Sequence, residues 1–459
     1  MCIRTSIGAF LVVAAGLAGQ QSGSYQGSTP GVVSPAPLAL TLLDAIERGL
    51  KFNLGLLESD TANETARAAR MQALSAMLPQ VTGTLAENDE QLNLKTVGLN
   101  VPPNPYLSIR PIAGPFSYTT AQANVSAKVL DWSARRNLKA ARADEEASRL
   151  SIQASRDLVV EAVANAYLGV IADASRVDSI KAQVETNQAL YQRAADQQTA
   201  GLAAGIDVLR AQVQLKTEQQ ALLAQQNRFE KDKLALGRII GLAPAQVFQI
   251  ADTAPFSKIS GVAQDEALRT ALAQRPDYLS AKRTVDAAQQ ALAAAQAEWY
   301  PTVDVSGYYG DAGLSLTNSH GVFVVTGALK FNIFDGGRIR ADVEKARAAL
   351  KDRSDELASQ GAQIEVDVRN AFLDLESAAD QVAVARDNLG LASQTLEQAR
   401  DRFASGVTDN IEVVQAQGSV AVANDNLISA LYAHNLAKVS LAKAMGLTEQ
   451  GVKKFIEVK

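Results

Sequence analysis

The sequence has little of the chemistry that enzymes and metal proteins need. Its 459 residues include one cysteine, Cys2, and two histidines, His320 and His434. Cys2 stands in the predicted leader described below, so no disulfide is expected, and two scattered histidines do not form a metal site. We find no nucleophile beside a base, no glycine-rich phosphate loop and no H-E-x-x-H motif. The sequence therefore favours a protein that is not an enzyme and binds no metal or cofactor.

The net charge is also small, and aromatic side chains are few. The net charge is -5 and aromatic residues make up 5% of the chain. Neither value gives a reason to expect binding to nucleic acid, and few aromatics favour helices packed through small side chains. Beyond the leader, no uninterrupted run reaches the roughly 18 apolar residues that a membrane-spanning helix needs.

Residues 1–19 form a predicted secretory signal peptide. Arg4 precedes an apolar run from Ile7 to Leu17, which is too short to span a membrane, and small residues follow it. Because no cysteine follows that run, no lipid attachment is expected. Residues 20–39 are rich in Gly, Ser and Pro, which predicts an extended or disordered low-complexity linker.

Proline is missing from two long stretches, Ser133 to Ala200 and Thr302 to the C-terminus. At 1.5 Å per residue, roughly 65 helical residues make a rod of about 100 Å. The chain would run back along each rod in a second helix, called the return helix, and both return helices carry residues spaced by seven. In the first they are Val208, Leu215, Leu222, Phe229 and Leu236. In the second they form two rows, Val413, Val420, Leu427, His434 and Leu441, and Ala416, Ala423, Ala430, Ala437 and Ala444. This spacing predicts helical hairpins packed as coiled coils. His434, which replaces Phe229 of the first set, is interpreted as a core or boundary residue rather than a ligand.

An internal repeat organises the chain. The segment "NAYLGVIADA" at Asn165 matches "NAFLDLESAA" at Asn370, and "AGLAAGIDVLRAQ" at Ala200 matches "SGVTDNIEVVQAQ" at Ser405, both with an offset of about 205 residues. Each half contains one opening helix, two strand-like segments and one long helical hairpin. The predicted organisation is a first repeat at 40–243, a linker at 244–263, a second repeat at 264–447 and a tail at 448–459. The opening helices are predicted at about 41–77 and 264–299.

Four segments alternate polar and apolar side chains with a period of two, which is typical of strands with two unlike faces. They lie at 81–85, 118–129, 303–308 and 323–333. The predicted apolar face carries Val125, Val129, Phe323, Val325, Leu329, Phe331 and Ile333, and the polar face carries Gln122, Asn124, Ser126, Lys128, Thr326, Lys330 and Asn332.

Two interpretations of these strands are open. One is a soluble sheet packed on a core, and the other is a membrane barrel with the apolar face toward lipid and the polar face lining a water-filled lumen. Four strands do not close a barrel, and an open edge in lipid leaves backbone groups unpaired. The barrel therefore requires several chains, with two giving eight strands and three giving twelve.

Taken together, these features resemble the TolC-like outer membrane efflux protein family, also called outer membrane factors. The most specific motif is "FDGGRIRA" at Phe334, directly after an alternating strand, and the duplicated unit and the paired turns support it. The resemblance runs from about Leu40 to Leu447. The first repeat departs from the pattern with "LDWSARR" at Leu130, and "NLGL" at Asn53 stands where the family usually has an asparagine–proline pair.

The resemblance implies a fold of α-helices and transmembrane β-strands. It implies a homotrimer with one twelve-stranded β-barrel in the outer membrane, built from four strands per chain. A long α-helical coiled-coil tunnel continues it through the periplasm. Residues 244–263 and the C-terminal tail would belong to an equatorial girdle around that tunnel.

The function implied is a passive exit duct of a tripartite efflux or type I secretion system. Its implied partners are a periplasmic adaptor (membrane fusion) protein, an inner-membrane pump of the RND or ABC type, and outer-membrane lipid. The alternative is a periplasmic coiled-coil adaptor or structural scaffold, although adaptors usually have one hairpin and no full duplication.

The turns of the two hairpins are predicted about 100 Å from the strands. Gly201 and Gly406 suit the position just past a helix end. Asp409 and Glu412 suit a capping box at the start of the next helix, and Asp207 holds an early position in the first repeat. Turn and capping chemistry would explain these residues without any further function.

The resemblance adds a functional interpretation of the same turns. In the family, the second-repeat tips converge to close the tunnel and carry acidic rings that attract cations. Glu412 matches the first of two acidic positions, and Gln415 stands at the second. Together with Asp207 and Asp409, these residues are the candidates for a periplasmic gate and selectivity site.

Overall fold

The structure, a computed structural model, describes residues 25–33, 36–98, 110–201, 204–253, 256–257, 259, 263–315, 317–405, 407–408 and 410–456. The predicted signal peptide lies outside these residues. The described chain forms two units. The helical unit comprises the described residues up to Asn63, Ser148–Ser280 and those from Leu357 onward, and the sheet unit comprises Glu64–Ala147 and Ala281–Glu356.

Helices and strands follow the predicted order in both repeats. In chain order they are β1 Leu38–Leu40, α1 Leu42–Phe52, α2 Leu54–Ser75, β2 Gln80–Asn93, a short 3-10 helix Leu94–Val97, β3 Ile112–Leu130, α3 Trp132–Thr199, α4 Gly205–Ile239, β4 Phe248–Ile250, α5 Gln264–Gln274, α6 Pro276–Ala297, β5 Thr302–Ser315, β6 Asn318–Lys330, α7 Arg338–Ala404, α8 Asn410–Ala444 and α9 Thr448–Phe455.

The strands of both repeats join in one antiparallel sheet with the order β2-β3-β5-β6. The pair β3–β5 connects the repeats, so neither repeat builds a sheet alone. A second, parallel pair, β1–β4, lies in the helical unit and ties the start of the first repeat to the inter-repeat linker.

The last strand is shorter than predicted at its C-terminal end. β6 ends at Lys330, which pairs with Thr302, the first residue of β5. Because the partner strand begins there, the predicted strand positions Phe331, Asn332 and Ile333 lie beyond the sheet. Their placement on a strand is therefore wrong, and their lipid-facing and lumen-facing roles stay predictions.

The "FDGGR" motif forms the turn into α7. Gly336 and Gly337 have φ angles of 69° and 90°, in the left-handed region that favours glycine. The carboxylate of Asp335 accepts hydrogen bonds from the amides of Gly337 at 3.0 Å and Ile339 at 2.8 Å. These bonds satisfy two amides at the start of the helix and lower the pKa of Asp335.

Each predicted opening helix is in fact a pair of helices. In the first repeat the break falls at Asn53, which is fully buried. Its side-chain amide donates to the Tyr25 carbonyl at 2.7 Å, and its side-chain oxygen accepts from the Gly55 amide at 3.0 Å. In the second repeat the break precedes Pro276, which disfavours helical backbone in the residue before it.

Residues 25–33 of the low-complexity linker are held against the protein. The amide of Thr29 donates to the Phe52 carbonyl at 2.9 Å, and the amide of Leu54 donates to the Gly27 carbonyl at 3.0 Å. A proline in place of Leu54 could not make the second bond. Of the two predicted alternatives, extended or disordered, the disordered one is therefore wrong for residues 25–33, while residues 38 and 39 are extended in β1.

Two long hairpins, α3–α4 and α7–α8, make up most of the helical unit. The alanines of the predicted seven-residue spacing on α8 are all buried, with 1 to 6% of their surface exposed, at Ala416, Ala423, Ala430, Ala437 and Ala444. The main apolar cluster centres on Val163, Tyr167 and Leu236. The coiled-coil seam predicted from this spacing is thus present.

No membrane-spanning helix was expected beyond the leader, but an 18-residue window of α3 is long and apolar enough to cross a membrane. Half of that window is buried inside the protein. Core helices of soluble proteins have the same composition, and α3 supplies much of the main apolar cluster. We therefore interpret it as a core helix.

Candidate functional site

The sheet has one apolar face, and the register brings it into line across all four strands. Val81 lies opposite Val125, Val125 opposite Gly307, and Gly307 opposite Val325. Phe323, Val325 and Leu329 share this face and are 72%, 75% and 62% exposed. Val129 sits at a register shift between Lys128 and Leu130 and is also exposed. An apolar surface of this extent indicates contact with lipid or with another protein.

The opposite face is polar along the neighbouring row. Gln80 lies opposite Ser126, Ser126 opposite Ser306, and Ser306 opposite Thr326. The other predicted polar positions on this face are Gln122, Asn124, Lys128 and Lys330. The Nζ atom of Lys330 lies 2.7 Å from a carboxylate oxygen of Asp304 on the next strand. The sheet therefore separates an apolar surface from a polar one, as the alternation indicates.

The two outer strands of the sheet, β2 and β6, each have one edge without a partner strand within the described residues. Each neighbouring pair in the sheet is antiparallel, so β2 and β6 run in opposite directions. The outer edges can therefore join antiparallel to the edges of another copy. Open edges with free backbone groups are tolerated in water but not in lipid.

The turn of the first hairpin follows α3. Gly201 has a φ of 70°, and its amide donates to the Gln198 carbonyl at 2.9 Å. Leu202 and Ala203 lie outside the described residues. Asp207 stands in the first turn of α4, where a carboxylate is favoured, and lies 3.5 Å from the Arg210 guanidinium. Both predicted residues thus have a local structural explanation.

The turn of the second hairpin follows α7. The amide of Val407 donates to the Arg402 carbonyl at 2.9 Å, which is the wider hydrogen bond of a Schellman helix end. Gly406 and Asp409 lie outside the described residues, so their turn and capping roles stay predictions. Gln415 is exposed, one turn after Glu412.

Glu412 lies in the first turn of α8, and one of its carboxylate oxygens is 3.4 Å from Nη1 of Arg402. Arg402 stands in the last turn of α7. Our sequence reasoning missed this arginine. The signal was available, because a cation at a helix C-terminus and an anion at the next N-terminus both favour the helix dipoles and meet across a short turn.

An apolar groove of about 500 Å³ lies between the starts of α4 and α8. Its exposed wall on α4 is Ile206, Leu209 and Val213, which are 52%, 58% and 65% exposed. The remaining lining residues are Arg210, Gln214, Ile411, Val414 and Gln415. Each was visible in the sequence, but only the packing of the two hairpins places them together. The groove is an unfilled apolar surface at the turn end of both hairpins.

His434 is a core residue. It is 1% exposed, and its ring centroid lies 4.7 Å from that of Phe256. Burial and then the positive charge of Lys438 lower the pKa of His434 to about 4. No group of three or more potential metal ligands occurs in the described part of the chain.

Comparison with known proteins gives a consistent result. The sequence model of the outer membrane efflux protein family matches residues 46–242 and 267–447, more than half of the chain. The fusaric acid resistance protein FusA of Burkholderia cepacia is 24% identical over 306 residues, which cover 62% of this chain and 54% of FusA. The cation efflux system protein CusC of Escherichia coli K12 is 26% identical over 188 residues, which cover 38% of this chain and 39% of CusC.

A solved structure also matches over almost the full length of both chains. The open state of the MtrE outer membrane channel of Neisseria gonorrhoeae has a TM-score of 0.74 at 18% identity, covering 92% of this chain and 95% of MtrE. At that identity the match establishes the fold alone. The sequence alignments span only about half of FusA and two-fifths of CusC.

Proposed function

The chain belongs to the outer membrane efflux protein family, and we propose that it is the outer-membrane exit duct of a tripartite efflux or type I secretion system. In this function it is a homotrimer whose strands form a barrel in the outer membrane and whose hairpins form a tunnel in the periplasm. Substrate passes through it without chemical change, driven by a pump in the inner membrane.

The observation that carries this proposal is the two-faced sheet with two open edges. Because β2 and β6 run in opposite directions, β6 of one copy pairs antiparallel with β2 of the next. Closing the ring removes both free edges, as a barrel in lipid requires. Three copies give twelve strands, an even number with a lumen wide enough for water. The apolar row then faces lipid and the polar row lines the lumen.

Two neighbouring residues on β6 test the barrel. Val325→Asp places a charge on the apolar face, and Thr326→Asp places the same charge on the polar face one residue away. An arginine or lysine facing lipid at the bilayer midplane costs about 2–4 kcal/mol, and an aspartate costs less but is still unfavourable there. We expect Val325→Asp to lose trimer and outer-membrane recovery, while Thr326→Asp keeps both. Equal behaviour of the two variants would contradict the barrel.

The alternative function, a periplasmic coiled-coil adaptor or scaffold, gives a different fractionation result. Such a protein is released with the periplasmic contents and stays soluble without detergent. The proposed duct stays with the outer membrane and needs detergent for extraction. Fractionation of cells that express the full chain therefore separates the two functions without any variant.

The hairpin tips supply the docking and gating parts of the proposal. The apolar groove between α4 and α8 is a surface for the helical hairpin tips of a periplasmic adaptor, since its wall on α4 carries the exposed apolar side chains of Ile206, Leu209 and Val213. Glu412 is the proposed selectivity residue at the periplasmic mouth. Because Arg402 lies 3.4 Å from it, its negative charge is partly compensated. We therefore propose weak cation preference rather than a strongly acidic ring.

The cargo is set by the pump and adaptor rather than by this chain. FusA is named for fusaric acid resistance and CusC for cation efflux, so similar chains are associated with unlike compounds. The described tunnel helices carry no residue group that would hold a metal ion. The susceptibility profile of a deletion strain is the measurement that identifies the exported compounds.

A further inference from the structure

Helix α9, in the tail that follows the second repeat, folds back onto helix α3 of the first repeat. Thr448, Val452 and Ile456 are fully or almost fully buried. Val452 and Ile456 belong to the main apolar cluster, to which α3 also contributes. In addition, the guanidinium of Arg156 on α3 lies 3.2 Å from the Glu449 carboxylate. The tail is thus docked by a small apolar patch and one ion pair.

An aspartate of α3, Asp157, faces this docked helix beside Arg156. Two further carboxylates act on it, Glu449 of α9 and Asp277 at the start of α6. Each of these two has an arginine partner, since Arg156 is paired with Glu449 and Arg275 lies 2.7 Å from Asp277. Asp157 is the third carboxylate, and in the described chain no side-chain nitrogen lies within ion-pair distance of it. Three carboxylates therefore share two arginines at this point.

The neighbour of Asp157 on α9 is the Thr448 hydroxyl, which is fully buried. This hydroxyl favours the charged carboxylate, but its Oγ1 atom reaches no partner with hydrogen-bond geometry in the described protein. It therefore offsets only part of the cost of burying a charge. Burial, together with the negative charges of Asp277 and Glu449, raises the pKa of Asp157 to about 6.

The duplication shows that this arrangement occurs only under α9. At the offset of about 205 residues, Arg156 and Asp157 match Gly361 and Ala362 of the second repeat. Helix α9 follows the second repeat but docks on the first. The charged pair is thus present in the repeat that carries α9 and absent from the matching positions of the other repeat. This difference connects the two charges with the docking of α9.

We propose that Asp157 is a proton-binding site that acts as a latch for the C-terminal helix. While the proton is bound, α9 is held on α3, and when the proton is lost, α9 is released. Release uncovers Val452 and Ile456 and makes the C-terminal segment accessible to solvent. The latch is complete within the helical unit of one chain, so it does not depend on the proposed duct.

The direction of the pH dependence follows from proton linkage. When α9 leaves, the Asp157 carboxyl is solvated and its pKa returns toward 3.8. The docked state therefore binds the proton more tightly, so docking is strongest below pH 3.8 and weakens as the pH rises through about 6. In the docked state the carboxyl is about nine-tenths protonated at pH 5 and almost fully charged at pH 7.5. The ratio of docked to released α9 thus falls about tenfold between these two pH values.

The neighbouring charges stay constant over the same range. The ion pair with Arg156 outweighs burial and lowers the pKa of Glu449. The ion pair with Arg275 likewise outweighs burial and lowers the pKa of Asp277. Both carboxylates and both arginines therefore keep their charges from pH 5 to pH 7.5, and the proton taken up at this point belongs to the third carboxylate.

The test places a nitroxide spin label on α9 through Lys454→Cys in the full-length protein in detergent. Lys454 is exposed, and the only other cysteine, Cys2, lies in the predicted signal peptide. We expect the ratio of mobile to immobile label to rise about tenfold from pH 5 to pH 7.5. In Asp157→Asn, which is uncharged at every pH, the label should stay immobile throughout. The matched control is Asp178→Asn, at an aspartate of α3 whose side chain is 78% exposed, and it should keep the full response.

A second variant keeps the test decisive if Asp157→Asn does not fold. Thr448→Val removes the hydroxyl that favours the charged carboxylate, so the midpoint of the mobility change should move to higher pH, and an unchanged midpoint would count against the latch. Equal mobility at pH 5 and pH 7.5 in the labelled protein, or a pH response that persists in Asp157→Asn, would overturn it. A labelled protein that shows the response but does not conduct in a planar bilayer would refute the duct and leave the latch standing.

Discussion

Replacing His434 with phenylalanine should make the protein more resistant to acid. The first repeat already contains the substituted arrangement, since Phe229 holds the matching position and the Lys233 ammonium lies 5.3 Å from its ring centroid. In the second repeat the corresponding pair is His434 and Lys438, both 1% exposed. A protonated His434 would place two positive charges together in the core, whereas a phenylalanine ring attracts the lysine.

The size of the expected gain in acid resistance follows from the protonation of His434. Burial and Lys438 lower the pKa of His434 from 6.5 to about 4. The folded protein thus resists a proton that the unfolded chain accepts, so the free energy of unfolding falls as the pH drops from 6.5 to about 4. The difference between these two pKa values corresponds to a loss of at most about 3 kcal/mol in the free energy of unfolding. It is fully present below pH 4 and absent above pH 6.5, where both states are neutral.

The assay is thermal unfolding of the purified protein in detergent at steps between pH 7.5 and 4, which covers the range in which the histidine takes up its proton. His434→Phe should be similar to the unmodified protein or slightly more stable at pH 7.5, since the Nδ1 atom of His434 has no partner in the described structure. Its advantage should grow steadily below pH 6.5. His320→Gln, at an exposed histidine of the sheet, is the control. A constant difference between His434→Phe and the unmodified protein across the series would refute the reasoning.

Three other substitutions test two single contacts. Arg402→Gln should raise cation preference in a planar bilayer and Glu412→Gln should lower it, because each removes one member of an ion pair at 3.4 Å; unchanged selectivity in both would exclude the pair from the conduction path. Leu54→Pro removes the amide that donates to the Gly27 carbonyl at 3.0 Å. It should lower stability by about 1 kcal/mol and speed proteolysis of residues 25–33, and unchanged cleavage would show that this bond does not hold the segment.

The fold was predictable from the sequence where a periodic row of side chains faces the same environment along its whole length. The alanine spacing on α8 predicted a buried seam, because every seventh position of a supercoiled helix faces the same neighbour. The strand alternation predicted two unlike faces for the same reason. The periodic patterns did not predict where helices break or where strands end. Asn53 interrupts a helix through hydrogen bonds to distant residues, and β6 stops at Lys330 because its partner strand begins opposite it.

The candidate site was less predictable, because its properties depend on contacts between segments far apart in the chain. Gly201 could be assigned to a turn from its own conformational freedom. The charge of Glu412 could not be judged from α8 alone, since the residue beside it belongs to α7. The tip groove likewise combines the starts of two return helices that are about 200 residues apart in sequence. Gate and selectivity roles for these residues stay predictions.

The duplication shows why matching sequence does not give matching roles. Gln212 and Gln417 occupy equivalent positions, yet the first is exposed and the second is buried. The difference arises because α8 packs against α3 as well as against its own partner α7, as the contact of Asn424 with Ser179 shows. A helix that faces two neighbours buries a third row of side chains beyond the seam. In α8 that row includes Gln417, Asn424 and Lys438, and the hydrogen bond from Asn424 to Ser179 at 2.5 Å joins it to the first hairpin.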